Sequence, residues 1–594
     1  MQYKLYDKGN NNTSNLLKEV LNNREIEDYD KYFNLDNSVV IPYEYLENIE
    51  NAVEMFIKHF NEKNKIGILV DEDPDGYCSA AMMYLYIKRM DENYPVEYIL
   101  HTKAKVHGLS DDVVIPKDIK LLIIPDAGTN DVKECKSLSE SGIEVLILDH
   151  HEREEENIYA LIVNNQTSGR YTNKNLCGAG IVYRFLQALD NENWNEFADD
   201  YLDLCALANI SDVMDMRSFE TRYFTNIGLL NIKNKCFQAL VNAQNYSMNG
   251  KVNIHNVQWY CTPILNGMIR IGSQEEKELL FRAFIEQDES FEYKKRATKD
   301  KPAETIQESI YDRAARLCKN AKSRQDKQKE KSVSQISEIA ESLPFDDKVV
   351  MIDVSDILEE GLTGVVAIKI AEQFNKPCIL LKKHLDKSTN KVAYGGSARN
   401  INHSPIDSFK DVVNATGILN GKGHANAFGI VDLPIDKKDE AINVINGILR
   451  DVEYDSTYRV DFILDIDDMS IPLVVELSKF EDIICQGIEE PMLAIENINL
   501  TRNCFEVFGK NEDTISFTID DIKYVQFRCK EGNQLYDFLQ NAWDESDSIT
   551  FNIVGKPTIN EYNGVRTPQI IIEDVAVIST NSNEEDEWSV IDCL

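Results

Sequence analysis

Three aspartates alternate along one short stretch, Asp71-Glu72-Asp73-Pro74-Asp75-Gly76. An apolar run precedes it at 66–70 and an apolar-rich run follows at 78–90, the pattern of a strand, a tight turn and a helix. Carboxylates this close repel one another, and a divalent cation with hard oxygen ligands removes that repulsion. Taken alone, the stretch reads equally well as a solvated acidic loop. Three distant segments argue for the cation. Ile124-Pro125 leads into Asp126, Leu148 leads into Asp149-His150-His151, and the helical pattern at 201–210 leads into Ser211-Asp212. Polar groups just beyond the carboxyl ends of parallel strands gather along one edge of an open α/β sheet. Carboxylates joined by one or two imidazoles suit Mn²⁺ or Mg²⁺. The chain has only nine histidines, and two side by side at a strand end are poorly explained as core.

The elements that must position these groups are legible as periodicity. The runs at 66–70, 96–100, 121–124 and 145–148 are apolar on both faces, which predicts a parallel sheet covered by helices. Ahead of them, Ile49, Ala52, Val53, Phe56, Ile57 and Phe60 share one helical face. The charged segment 285–342 is predicted to be helical, with its most basic part at 314–331; it serves either as a solvated connector or as a face for nucleic acid. A second α/β unit spans 347–433, with strands at 349–354 and 378–382 and a helix at 364–374. It contains two glycine-rich segments, Gly395-Gly396-Ser397-Ala398-Arg399 and Gly421-Lys422-Gly423-His424. Glycines let backbone N–H groups approach an anion, and Ser, Arg and His complete a phosphate site; each segment alone also reads as a turn. From about 455 to 580 short strands predict a small barrel, with Asn563-Gly564 as a hairpin signal. There Tyr524, Phe527 and Tyr562 serve either as base-stacking groups or as core. The end of the chain, from 581, is acidic.

A chain of 594 residues exceeds one core and implies several domains. Hydrophobic residues make up 43%, and no apolar run approaches the ~18 residues of a membrane span. No signal-peptide pattern opens the chain, and twelve cysteines stand without a C-x-x-C pair, so reduced thiols in a cytoplasmic protein are expected. The formal net charge of −38 disfavours general nucleic-acid binding and requires any such contact to use a local basic groove.

The ordered set of Asp-x-Asp-x-Asp-Gly, a strand-end Asp, Asp-His-His and a late Asp resembles the DHH phosphoesterases. Leu176-Cys177-Gly178-Ala179-Gly180-Ile181, the segment from Pro263 through Asn266 and Arg270 to Gly272, and Asn22-Asn23-Arg24-Glu25-Ile26 narrow the resemblance to RecJ-type single-strand exonucleases. The glycine-rich pair resembles the DHHA1 domain, with Lys422 interrupting the second glycine pair and Phe428 where a small residue is usual. The resemblance implies an α/β protein: a helical lead-in (1–60), a parallel-sheet DHH domain (61–284), linking helices (285–342), a smaller α/β DHHA1 domain (343–450), a C-terminal OB-like β-barrel (451–580) and an acidic tail (581–594). It implies Asp73, Asp75, Asp126, His150 and Asp212 as ligands of two Mn²⁺ or Mg²⁺ ions, with Asp126 bridging. Asp71 is then a further ligand or an orienting group, Asp149 orients a histidine, and His151 contacts phosphate or the leaving oxygen. Ser397 and Arg399 would hold a terminal phosphate, with His424 and Arg270 on other phosphates. An arginine usual in RecJ proteins is missing from Thr102–Gly108, leaving Lys103 or Lys105 to stand in. The implied activity is 5′ to 3′ exonuclease action on single-stranded DNA, releasing nucleoside monophosphates in repair or recombination. A monomer is expected, with a helicase or single-strand-binding protein as further partner. Two other readings are a phosphoesterase for short oligonucleotides or cyclic dinucleotides and a non-catalytic replication or repair scaffold.

Overall fold

The computed structural model describes residues 1–102, 107–110, 112–295, 302–344, 346–358, 362–386, 391–454, 457–509, 512–541, 546–562 and 565–581. The chain opens with strand β1 (Gln2–Leu5) and reaches the first large domain through helix α1 (Ile49–Asn61), which buries Ile49, Ala52, Val53 and Phe56 as the periodicity predicts.

That domain is built on β2 (Ile66–Val70), β3 (Val96–Leu100), β4 (Leu121–Pro125), β5 (Glu144–Asp149) and β6 (Leu161–Asn164). All pairings are parallel, in the order β3-β2-β4-β5-β6. The central strands β2 and β4 are buried along their whole length, which is why they read as continuous apolar runs. From β2 the chain steps to one side for β3 and then crosses to the other for β4. The order therefore reverses between β2 and β4, where α/β sheets open a crevice at their carboxyl ends.

The segment after this domain departs from expectation. Its first part is an antiparallel hairpin, β7 (Ser290–Lys295) with β8 (Glu304–Ser309), because Phe291 and Tyr293 alternate onto one face. Arg313 and Arg316 cover those rings at 4.5 and 4.1 Å. Helix α2 (Ile310–Glu341) follows, 32 residues and roughly 48 Å long. Its start buries Ile310, Ala314 and Cys318 in the core of the first domain, and its end buries Ile336 and Ala340 in that of the second. Its cations are largely engaged: Arg324 pairs with Glu276 at 2.7 Å, Lys322 and Lys329 with Asp326, and Lys319 donates to Ala243 O.

The second α/β unit has the sheet order β12-β13-β11-β10-β9, with β9 (Val350–Asp353), β10 (Cys378–Asp386), β11 (Lys391–Arg399), β12 (Asn420–Gly423) and β13 (Ala427–Pro434). Both glycine-rich segments fall largely within strands, β11 and β12. Phe428 is core, buried against Phe409 at 5.7 Å.

The C-terminal unit is a seven-stranded sheet, β15-β16-β20-β21-β19-β18-β17, over β15 (Phe462–Asp465), β16 (Leu493–Thr501), β17 (Glu506–Phe508), β18 (Thr514–Ile519), β19 (Ile522–Phe527), β20 (Ser548–Tyr562) and β21 (Val565–Asn581). Shifts of register bend the long β20–β21 ladder, the device that lets one strand turn a corner in a small barrel. The hairpin signal Asn563-Gly564 and the tail from 582 lie outside the described residues, although β20 and β21 pair up to Tyr562 and Val565. Tyr524 is core, stacked on Phe517 at 4.8 Å, whereas Phe527 is exposed; the side chain of Tyr562 is outside the described set.

The lead-in is tied to this last unit. Strand β1 pairs in parallel with β14 (Thr457–Val460). Arg24 makes a two-pronged, buried contact with Asp461, Nη1 to Oδ1 at 2.7 Å and Nη2 to Oδ2 at 3.0 Å. Removing one member of such a pair leaves a buried charge short of its counter-ion. Arg24→Ala is therefore expected to cost about 3–5 kcal/mol, read as an earlier urea transition of the full chain.

Candidate metal centre

Each predicted ligand is placed by the end of an element. Asp71 follows β2, and Asp73 caps the helix Pro74–Met90, accepting the Gly76 N–H at 2.9 Å. The Asp75 carboxylate accepts two N–H groups from the start of another helix (Gly178–Asn193), Gly178 at 2.7 Å and Ala179 at 2.7 Å. A helix N-terminus suits an anion. Residue 178 must be glycine here, since a Cβ would stand 2.4 Å from Asp126 Oδ1. Asp126 follows β4 with φ +70°, a left-handed conformation that costs a non-glycine residue on the order of 1 kcal/mol. Its N–H donates to Leu148 O at 2.8 Å, which fixes it beside the end of β5. Asp212 ends the helix Leu202–Ser211.

His150 Nε2 lies 3.2 Å from Asp126 Oδ1, 3.5 Å from Asp212 Oδ2 and 3.9 Å from Asp75 Oδ2. His150 Nε2 and Asp126 Oδ1 are both buried without a hydrogen bond among the described residues. Burial, together with the His151 charge, holds the His150 imidazole down at about 4, hence neutral. Burial and the Asp73 charge push Asp75 up to about 6; burial and the Asp75 and Asp73 charges push Asp212 up to about 8. Asp126 is driven well up by burial and the same neighbours, and Asp73 rises through burial and Asp71. A neutral imidazole lone pair facing three crowded carboxylates is unfavourable alone and fits a hard divalent cation.

Asp149, expected to orient a histidine, and Asp71, expected as a further ligand or an orienting group, differ from the other candidate ligands. Asp149 Oδ1 accepts the N–H groups of His150 and His151 at 2.7 and 3.1 Å and His151 Nδ1–H at 2.8 Å, while Oδ2 accepts Thr129 N–H at 3.1 Å. Burial opposes its charge, but these donors and the His151 charge hold the carboxyl far below the usual range. Burial pulls His151 down, yet its bond to Asp149 and that charge outweigh it and lift the ring to about 9. Asp71 has both oxygens engaged, Oδ2 with His107 Nδ1 at 2.6 Å and Oδ1 with Gly108 N–H at 2.8 Å. Both oxygens are thus hydrogen-bonded, while Asp71, Asp73 and His107 also lie close enough together to hold a metal ion. His107 carries no motif signal and was not among the expected site residues, as was also true of the buried Glu72–Lys277 ion pair that pins the acidic turn to the helix Gln274–Phe284.

Two family models match the chain: the DHH family, N-terminal domain, over residues 65–209, and the RecJ OB domain over 460–574. A Bacillus subtilis (strain 168) protein named as a putative SPbeta prophage-derived single-strand DNA-specific exonuclease, YorK, is 35% identical over 591 residues, 98% of this chain and 100% of its own length. The chain belongs to the RecJ-type DHH family. The single-stranded-DNA-specific exonuclease RecJ of the same bacterium is 24% identical over 93% of this chain and 65% of its own length. RecJ from Thermus thermophilus, solved in complex with Mn²⁺, shares the fold with a TM-score of 0.69 at 15% identity, covering 97% of this chain and 79% of that one.

The remaining candidates of this RecJ-type chain fall into two groups. Ser397 and Arg399 lie side by side on β11 against the start of helix Thr363–Phe374: Ser397 Oγ is 3.0 Å from Thr363 Oγ1, and a Cβ on Gly364 would stand 2.6 Å from Arg399 Nη2. Arg270, exposed near the end of helix Thr262–Ile271, is in electrostatic reach of Asp73 on one side and of Arg399 on the other. The structure thus brings both arginines toward the carboxylate cluster. His424 is exposed on the turn after β12. Beside it, Lys422 approaches Glu154, from the segment after Asp-His-His, at 3.8 Å. Lys103 and Lys105 lie outside the described residues.

The raised carboxyl groups imply a pH-dependent cost in the metal-free protein. A carboxyl lifted from 3.8 to about 8 holds its proton in the folded chain and loses it on unfolding, so stability falls as pH rises through that window. Asp212→Asn is expected to flatten this fall between pH 4 and 8, measured as thermal midpoints against the parent chain in chelator. Saturating Mn²⁺ should flatten it in the parent chain and do so less in the variant.

Proposed function

We propose that this RecJ-type protein is a divalent-metal-dependent exonuclease that hydrolyses single-stranded DNA from the 5′ end and releases nucleoside monophosphates. One observation carries the reading: buried, unpartnered His150 Nε2 and Asp126 Oδ1 sit among Asp75 and Asp212, with Arg270 and Arg399 close by. The exonuclease names of YorK and RecJ support the reaction and the strand preference, and the Mn²⁺- and Mg²⁺-bound RecJ structures support the choice of ion. The 5′ to 3′ direction rests on the family resemblance.

Asp73, Asp75, Asp126, His150 and Asp212 would hold the divalent ions. Such ions would neutralise the phosphate and acidify the attacking water. The chain's own groups do the rest. Asp149 fixes the His151 ring, so that His151 is placed to donate to the oxygen that leaves. Ser397 and Arg399 receive the terminal phosphate, and Arg270 links that contact to the reacting one; a guanidinium fork suits a phosphate better than an ammonium. The substrate contact is thereby concentrated in a few cations on a chain of net charge −38. A role in repair or recombination, in a cytoplasmic monomer acting beside a helicase or single-strand-binding protein, belongs to the same proposal.

Single strands labelled at either end, with and without a 5′-phosphate, test the reading in Mn²⁺. The 5′ label should appear first as mononucleotide, and a dinucleotide should be cut far more slowly than a long strand. Asp126→Ala and Asp75→Ala should each lower the rate by about 10³-fold or more, on the order of the loss of metal-assisted charge stabilisation. First release of the 3′ label would overturn the direction, and full activity in both variants would overturn the site.

A further inference from the structure

His107 is the one imidazole near the cluster that the proposed reaction leaves without a task. Its surroundings repeat those of His151. Asp149, at the end of β5, accepts from His151 Nδ1 at 2.8 Å; Asp71, beyond the end of β2, accepts from His107 Nδ1 at 2.6 Å. Strands β2 and β5 lie on either side of β4, whose end carries Asp126. Two carboxylate-held imidazoles are thus tied to the strands flanking Asp126. Both rings face outward, with side chains 59% exposed for His107 and 52% for His151. They lie in electrostatic reach of one another and of Asp73.

The loop bearing His107 is clamped at three successive residues. Besides the ring bond, Gly108 N–H donates to Asp71 Oδ1 at 2.8 Å and Leu109 N–H to Asp131 Oδ2 at 2.6 Å. Gly108 has φ +66°, and a Cβ there would stand 2.2 Å from Asp131 Oδ2, so the clamp depends on glycine at this position. With Nδ1–H committed to Asp71, Nε2 is the ring nitrogen left over, and it has no partner among the described residues. An imidazole fixed by a carboxylate through one nitrogen presents the other in a defined direction.

We propose that His107 is a second phosphate-binding imidazole of this site: its Nε2 contacts a non-bridging oxygen of the bound single strand, and Asp71 serves to orient it. A polyanion entering a mouth lined by carboxylates needs N–H donors of fixed direction, and His107 provides one beside Asp71. The assignment rests on the nuclease reading of the cluster. It turns Asp71 from a ligand into a positioning residue.

The test uses the full chain, a phosphorothioate single strand that resists cleavage, and Mn²⁺ binding followed by electron paramagnetic resonance without DNA. His107→Ala and His107→Gln should weaken strand binding about tenfold, the loss of one charge-assisted hydrogen bond, and raise KM more than they lower kcat. Mn²⁺ affinity should stay within about twofold. Asp71→Asn should reproduce the loss of strand affinity at unchanged Mn²⁺ affinity. Strand affinity unchanged in both His107 variants would overturn the proposal. A fall in Mn²⁺ affinity of about tenfold would overturn it too, by making His107 a ligand. A parent chain that fails to cleave any single strand in Mn²⁺ would instead refute the underlying nuclease reading.

Discussion

Mutual repulsion among carboxylates is the constraint around which this molecule is arranged. Asp73, Asp75, Asp126 and Asp212 are brought together beside a neutral imidazole, with Asp75, Asp126 and His150 buried. Burial alone would force protons onto most of them, and the raised carboxyl groups show that tendency. The surroundings offset part of the cost: two helix-start N–H groups on Asp75, and a capping N–H on Asp73. A backbone strain is accepted at Asp126 to place its oxygen opposite His150. What the protein leaves unbalanced is the charge that a divalent ion would supply.

Not every aspartate shares that role, and the difference lies in hydrogen bonds. Asp149 accepts from two backbone N–H groups at its own strand end, from Thr129 and from a ring, and remains ionised. Asp126 Oδ1 has no hydrogen-bond partner among the described residues, and its carboxyl is pushed the other way. Residues of one chemical type, at neighbouring strand ends, are thereby divided into one whose oxygen faces the cluster unpaired among the described residues and one that aims an imidazole.

The placement of the second α/β unit follows from helix α2. A long helix buried at each end in a different core is a strut rather than a tether. It sets the distance between the carboxylate cluster and β11, and so brings Arg399 into reach of Arg270. Its own cations are mostly spent on neighbouring acids. The long basic stretch therefore contributes less positive surface than its composition suggests.

Much of the site was legible in the sequence because its parts are local. A strand buried on both faces leaves a continuous apolar run, and the residue after it lands at the sheet edge; this alone located Asp71, Asp126 and the Asp-His-His segment. The same locality placed Asp73 and Asp75 at a strand–turn–helix junction and Asp212 at a helix end. What tertiary structure decided are pairings between residues far apart in the chain, which leave no periodicity to read. Arg24 and Asp461, 437 positions apart, join the lead-in to the C-terminal sheet. Lys277 reaches back to Glu72, 205 positions away, and Tyr524 turns inward to the core. Asp71 shows the division most plainly. Its location beside the cluster follows from the strand before it, but its partner was decided only when a loop 36 residues later folded back to place His107 on one oxygen and the Gly108 N–H on the other.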